Sequence, residues 1–134
     1  MHGKTLEFVP FNLSCFQNVV LTAYHRSALG ACNGAGYDLD DKIFFEVSLN
    51  GGAWTKVDTL VGNNNNTWDF TMSAGGGANT APNPFVYAVP AGTTTLAFRM
   101  VGIMNRSDEY FYVDDVSLTT TTLGYGSTPG IWTG

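Results

Sequence analysis

Along most of this chain apolar and polar residues alternate with a period of two, as in extended strands, where successive side chains point to opposite faces. The pattern is cleanest where Ile43, Phe45, Val47 and Leu49 alternate with Phe44, Glu46 and Ser48. Asn50-Gly51-Gly52 then offers the positive φ angles of a tight hairpin, and Trp54 to Leu60 reads as the returning strand. Upstream, Lys4 to Ser14 sets Leu6, Phe8 and Pro10 against Glu7, Val9 and Phe11, and Pro10 predicts an edge or a bend there. Gln17 to Arg26 sets Val19, Leu21 and Ala23 against Val20, Thr22 and Tyr24. Downstream, Thr67 to Met72 and Phe85 to Val89 read as short strands, the latter stopped by Pro90-Ala91-Gly92. Thr94 to Ile103 follows with Leu96, Phe98 and Met100 inward and Thr95, Ala97 and Arg99 outward.

The densest aromatic and β-branched run is Tyr110 to Leu118, and it breaks the pattern with two adjacent acids, Asp114 and Asp115. Asp is depleted in strands, so the pair needs a cause: a cation, a nest of backbone N–H groups or a bulge. The phase also changes there, because Phe111 and Val113 fall on one face of a regular strand and Val116 and Leu118 on the other.

The intervening segments read as loops: Gly-rich Ala28 to Asp41, polar Asn63 to Asn66, Gly/Ala/Asn/Pro-rich Gly75 to Pro84, and the charged turn Asn105 to Glu109. From Thr119 the chain is Thr- and Gly-rich and ends near Ile131-Trp132. The domain is placed at residues 1–121 and a tail or linker at 122–134. No stretch has helical periodicity with caps, and no internal repeat is visible. The expected fold is all-β, an antiparallel jelly-roll β-sandwich of about eight strands.

Composition narrows the function classes. The chain has 134 residues, 44% of them hydrophobic and 13% charged, which suits one domain with a real core. With six Lys plus Arg and a formal net charge of −5, it lacks the electrostatic footprint of a nucleic-acid or anionic-membrane binder. No apolar run approaches bilayer-spanning length, so membrane insertion is not expected. Met1 to Glu7 has no apolar region of the kind a secretory signal carries. Either the protein is cytoplasmic or the chain is a piece of a larger secreted one, and its direct entry into strand-like sequence favours the second. Cys15 and Cys32 either pair or are two buried thiols. Sequons at Asn12, Asn65 and Asn105 matter only where a source glycosylates secreted proteins.

Two blocks carry a family resemblance. One is Gly36-Tyr37-Asp38-Leu39-Asp40-Asp41, followed by Ile43 to Ser48 and Asn50-Gly51-Gly52-Ala53-Trp54; the other is Leu96-Ala97-Phe98-Arg99, followed by Asp108 to Leu118. Over residues 5–121 the chain resembles the jelly-roll accessory domains of secreted bacterial proteins, including carbohydrate-binding modules and galactose-binding-like and MAM-like sandwiches. The aromatic-Val-Asp-Asp-Val-x-Leu strand is shared by members with different ligands, so it speaks to fold rather than function. The resemblance implies a structural Ca²⁺ near the terminal strands, a role that passes to Asp114 or Asp115. Such domains usually have a strand ahead of the segment matching Lys4–Ser14; this chain departs from that pattern, which implies an open sheet edge.

Candidate site residues follow from chemistry. Ca²⁺ takes about six to eight oxygens, to which one acid of the Asp114–Asp115 pair and loop carbonyls would contribute. Asp38, Asp40 and Asp41 form a second acidic group, without the Gly and Glu spacing of an EF-hand loop; it gathers more ligands only if Asp108 or Glu109 clusters with it. The alternative for the Asp114–Asp115 pair is that one Asp accepts backbone hydrogen bonds in a turn and the other is solvated; for the Asp38–Asp41 group it is a solvated loop. Trp54, Trp68, Tyr87, Tyr110 and Tyr112 offer flat faces to a pyranose, with Arg99 or the Asn63–Asn66 loop as hydrogen-bonding partners, although most such rings in sandwiches simply pack. Catalysis finds no support in zinc spacings, a nucleophile elbow, a P-loop or a dinucleotide fingerprint, and no carboxylate pair is singled out for glycoside hydrolysis.

The reading is therefore a non-catalytic extracellular or cell-surface binding module for carbohydrate, or else a protein ligand. The alternative is an assembly domain of an adhesin or filament, associating through an open sheet edge or its C-terminal tail. If the acids hold Ca²⁺, millimolar Ca²⁺ raises the melting temperature with concentration; an identical melt in chelator removes the metal.

Overall fold

A computed structural model describes residues 2–29, 40–62, 70–72, 84–105 and 109–123, with the backbone alone at 2, 26–29, 70–72, 109–110 and 121–123. These form nine strands and no helix: β1 His2–Glu7, β2 Phe11–Asn12, β3 Phe16–Leu29, β4 Lys42–Leu49, β5 Thr55–Gly62, β6 Phe70–Met72, β7 Phe85–Ala88, β8 Thr95–Met104 and β9 Glu109–Leu123. All pairings are antiparallel. A six-stranded sheet has the order β1-β8-β4-β5-β6, with β2 also on β8, and a three-stranded sheet has the order β7-β3-β9. The fold is all-β, with two sheets sharing one core.

Alternation decides which side chains meet between the sheets. Leu21, Ala23 and Phe85 of the small sheet join Ile43, Phe45, Val47, Leu60, Leu96, Phe98 and Met100 of the large one in a single buried cluster. Phe45 is fully buried, with its ring centroid 4.4 Å from that of Phe85 and 6.4 Å from that of Phe98. Each such burial contributes about 1.5–3 kcal/mol.

The hairpin forms as expected. Asn50 and Gly51 have φ of 53° and 70°, and the Gly52 N–H donates to the Leu49 carbonyl (2.9 Å). Both central residues are left-handed, which matches the twist of the flanking strands. Asn50 also ties the hairpin to β8, its Oδ1 accepting the N–H groups of Thr94 (2.8 Å) and Thr95 (3.2 Å). Pro10 marks a bend, since the first predicted strand is split into β1 and β2 around residues 8–10.

β9 departs from expectation in length and in detail. It runs on to Leu123, with Thr119, Thr120 and Thr122 opposite Val20, Val19 and Gln17, and the Thr120 hydroxyl donating to the Gln17 carbonyl. The Thr-rich run that reads as tail is β-branched and pairs as strand. At the acid pair, Thr22 faces Ser117 while Tyr24 faces Asp114, so Asp115 and Val116 share Ala23 as their opposite. This is a bulge. Asp115 has φ 48° and its N–H donates to Asp114 Oδ1 (2.8 Å). The extra residue absorbs the phase change, so Phe111, Val113, Val116 and Leu118 all pack against the core.

A β-branched residue in the left-handed region costs about 1–2 kcal/mol. Asp115→Val is expected to lower stability by about that amount and Asp115→Gly to leave it equal or higher. Urea midpoints at unchanged m check both.

Candidate functional site

The outer faces of the two sheets offer different chemistry. Across the large sheet the register lines up Glu7, Arg99, Glu46 and Lys56 on four adjacent strands, a row of alternating charge. Arg99 Nε donates to Glu46 Oε2 at 2.7 Å, and its guanidinium lies 4.2 Å from the Trp54 ring centroid. Lys56 Nζ sits 3.5 Å from the centre of the Phe44 ring. Trp54 and Arg99, assigned to ligand from sequence, are thus brought together, but engaged with one another. A sugar stacking on that face of Trp54 must first displace a guanidinium, whose cation–π contact is worth about 0.5–1 kcal/mol.

The outer face of the small sheet carries exposed apolar and aromatic side chains. Tyr24 of β3 and Tyr112 of β9 are each 47% exposed. Tyr24 stands opposite Asp114, and Tyr112 lies two residues before it, so the two tyrosines are diagonal neighbours about 7–8 Å apart. Thr22, one pleat along, stands between Ser117 on β9 and the exposed Val86 on β7. Two phenol rings, several hydroxyls and the exposed Asp114 carboxylate therefore share one strand-built surface. Tyr112 is among the rings read from sequence; Tyr24 is not, although its alternation against Leu21 and Ala23 was the available signal.

The remaining candidates fall elsewhere. Tyr87 is half-buried and packs against the core. Tyr110 pairs through its backbone with Ala28, its side chain lying outside the described residues, as does all of Trp68. Asp41 is fully buried; its Oδ1 accepts the Asn105 N–H (3.1 Å) and its carbonyl accepts the Gly62 N–H (2.9 Å). It thereby ties the ends of β5 and β8 to the start of β4. Asp40, Asp114 and Asp115 are exposed, and Asp38 and Asp108 lie outside the described residues. Among the described residues no group of three or more His, Cys, Asp or Glu side chains is placed to hold a metal ion. Cys15 carries an exposed free thiol, against the buried reading, and Cys32 lies outside the described residues.

One ionisable couple borders the core, His25 buried and Asp58 half-buried. His25, 8% exposed, stacks on Phe111 (5.6 Å, 19°) and tilts against Phe45 (5.7 Å, 59°). Asp58 faces Phe45 at a register slip in β5, next to Val57, which also packs on the core. Burial pushes the Asp58 carboxyl above its ordinary range, while the Thr59 N–H (2.7 Å) and His25 pull it back down.

Compared with models of protein families, with curated proteins and with solved structures, the chain matches none of them.

A raised folded pKa means that Asp58 favours folding below its unfolded value of 3.8 and that this contribution is lost as pH rises through the folded value. Asp58→Asn, which keeps an acceptor for Thr59, is expected to gain stability relative to wild type across that window and to hold the gain at neutral pH. Chemical denaturation at a series of pH values checks this; a constant difference contradicts it.

Proposed function

We propose that the chain is a non-catalytic module of a secreted or surface protein that binds neutral carbohydrate on the outer face of β7-β3-β9, within a fold of the jelly-roll type. The observation that carries this reading is the pair of exposed tyrosines, Tyr24 and Tyr112, on diagonal positions of two paired strands. A tyrosine ring gives the C–H face of a pyranose an apolar partner and keeps a hydroxyl for its equatorial groups. Strands hold such rings at a fixed spacing better than loops do. Thr22 and Ser117 add short hydroxyls on the same face.

Charge favours a neutral ligand over an acidic one. The net charge is −5, and on this sheet the register offsets Asp114, opposite Tyr24, with Arg26, opposite Tyr112, while Arg99 is on the other sheet, already paired with Glu46. Ca²⁺ remains a structural proposal resting on the family resemblance. Asp114 and Asp41 each have a carboxylate oxygen accepting a backbone N–H, and carbohydrate binding at the tyrosines does not require the ion.

Affinity electrophoresis in neutral polysaccharides tests the reading. Tyr24→Ala and Tyr112→Ala are each expected to weaken retardation about tenfold, equivalent to roughly 1.4 kcal/mol, while Trp54→Ala leaves it within about twofold. No retardation by any member of a broad panel sinks the carbohydrate proposal.

A further inference from the structure

β9 is the longest strand, at 15 residues, and pairs with β3 along one edge. Among the described residues no strand pairs with its other edge. A long, regular sheet edge is a template for another strand. The Asp114–Asp115 bulge interrupts this edge near its middle, with both acids exposed, Asp115 at φ 48°, and the Asp115 N–H drawn onto the Asp114 carboxylate rather than left for a neighbour.

Packing does not require the bulge. With Asp115 removed, Phe111, Val113, Val116 and Leu118 fall on alternate positions and all face the core, while Tyr112, Asp114 and Ser117 all face out. Thr22 and Ser117 would then continue to Tyr24 and Asp114 in an unbroken ladder. The extra residue is surplus to the core, so its consequence lies at the edge.

We infer that Asp114 and Asp115 are an edge guard, closing β9 to strand addition by a second copy of this chain. The bulge limits an incoming strand to one side or the other of residue 115. Two β9 strands overlapping fully about a two-fold axis would centre on Val116, the midpoint of Glu109–Leu123, and so set Asp115 of one copy opposite Ser117 of the second and diagonal to its Asp115. Like charges on facing strands oppose such pairing. If the chain accepts a partner strand, it does so at another edge. The guard stands independently of carbohydrate binding.

Light scattering on three proteins tests this. Asp114→Thr combined with deletion of Asp115 makes a regular, uncharged edge and is expected to form dimers or larger species at concentrations where wild type keeps its mass. Asp114→Lys with Asp115→Lys restores like charge of opposite sign and is expected to keep the wild-type mass, whereas a site needing carboxylates would be lost. A folded deletion variant with wild-type mass overturns the inference. So does a changed mass for the lysine variant, since the acids would then be making a contact rather than blocking one. If the deletion variant does not fold, Asp114→Thr with Asp115→Gly keeps the left-handed turn and removes the charge; its association must exceed that of wild type, and an unchanged mass overturns the inference equally.

Discussion

The triangle of stacked rings Phe45, Phe85 and Phe98, with Phe85 4.4 Å from Phe45 and 5.7 Å from Phe98, is the interaction on which the rest of the structure depends. Phe85 comes from the small sheet, and Phe45 and Phe98 from adjacent strands of the large one, so the stack joins the layers. Phe8 extends it, stacking on Phe98 at 5.6 Å and donating its N–H to the Phe98 carbonyl at 3.0 Å, which brings the bend around Pro10 back onto the core. Close-packed rings leave little tolerance in the spacing of the sheets. The outward-facing side chains inherit their positions from this internal constraint.

Period-two alternation made much of the architecture legible in the sequence. The inward residues of β4 and β8 and the Asn50-Gly51 turn all lie where the pattern puts them. A pattern of this kind reports faces but not partners, so the strand order and the split into sheets of six and three strands were not readable. The threonines from Thr119 read as linker, but β-branching suits a ladder and β9 runs on to Leu123. The phase change at Asp114–Asp115 was visible, and the bulge that resolves it is the physical answer.

The candidate site was legible only in part. Sequence offered the aromatic residues but not their surroundings. Trp54, which follows the hairpin turn and so looks exposed, meets Arg99 across the sheet, a contact between residues remote in sequence. Tyr87 packs inward beside Phe85. The two most exposed aromatic side chains among the described residues, Tyr24 and Tyr112, are set apart from their neighbours by the alternation of two strands joined only by tertiary pairing. The sequence places Asp41 in an acidic loop without showing that it is buried with its carboxylate accepting the Asn105 N–H.

The pairing of β3 with β9 also bears on how the chain reaches this state. The Thr120–Gln17 bond joins residues 103 apart, nearly the full span of the described chain. The β4–β5 hairpin closes over a few residues, whereas the central strand of the small sheet must wait through β4 to β8 before its second neighbour exists. Loop-closure entropy makes such contacts late and slow. During synthesis, the interval between the emergence of β3 and that of β9 is when Leu21 and Ala23 lack part of their cover, and when a chaperone has most to hold.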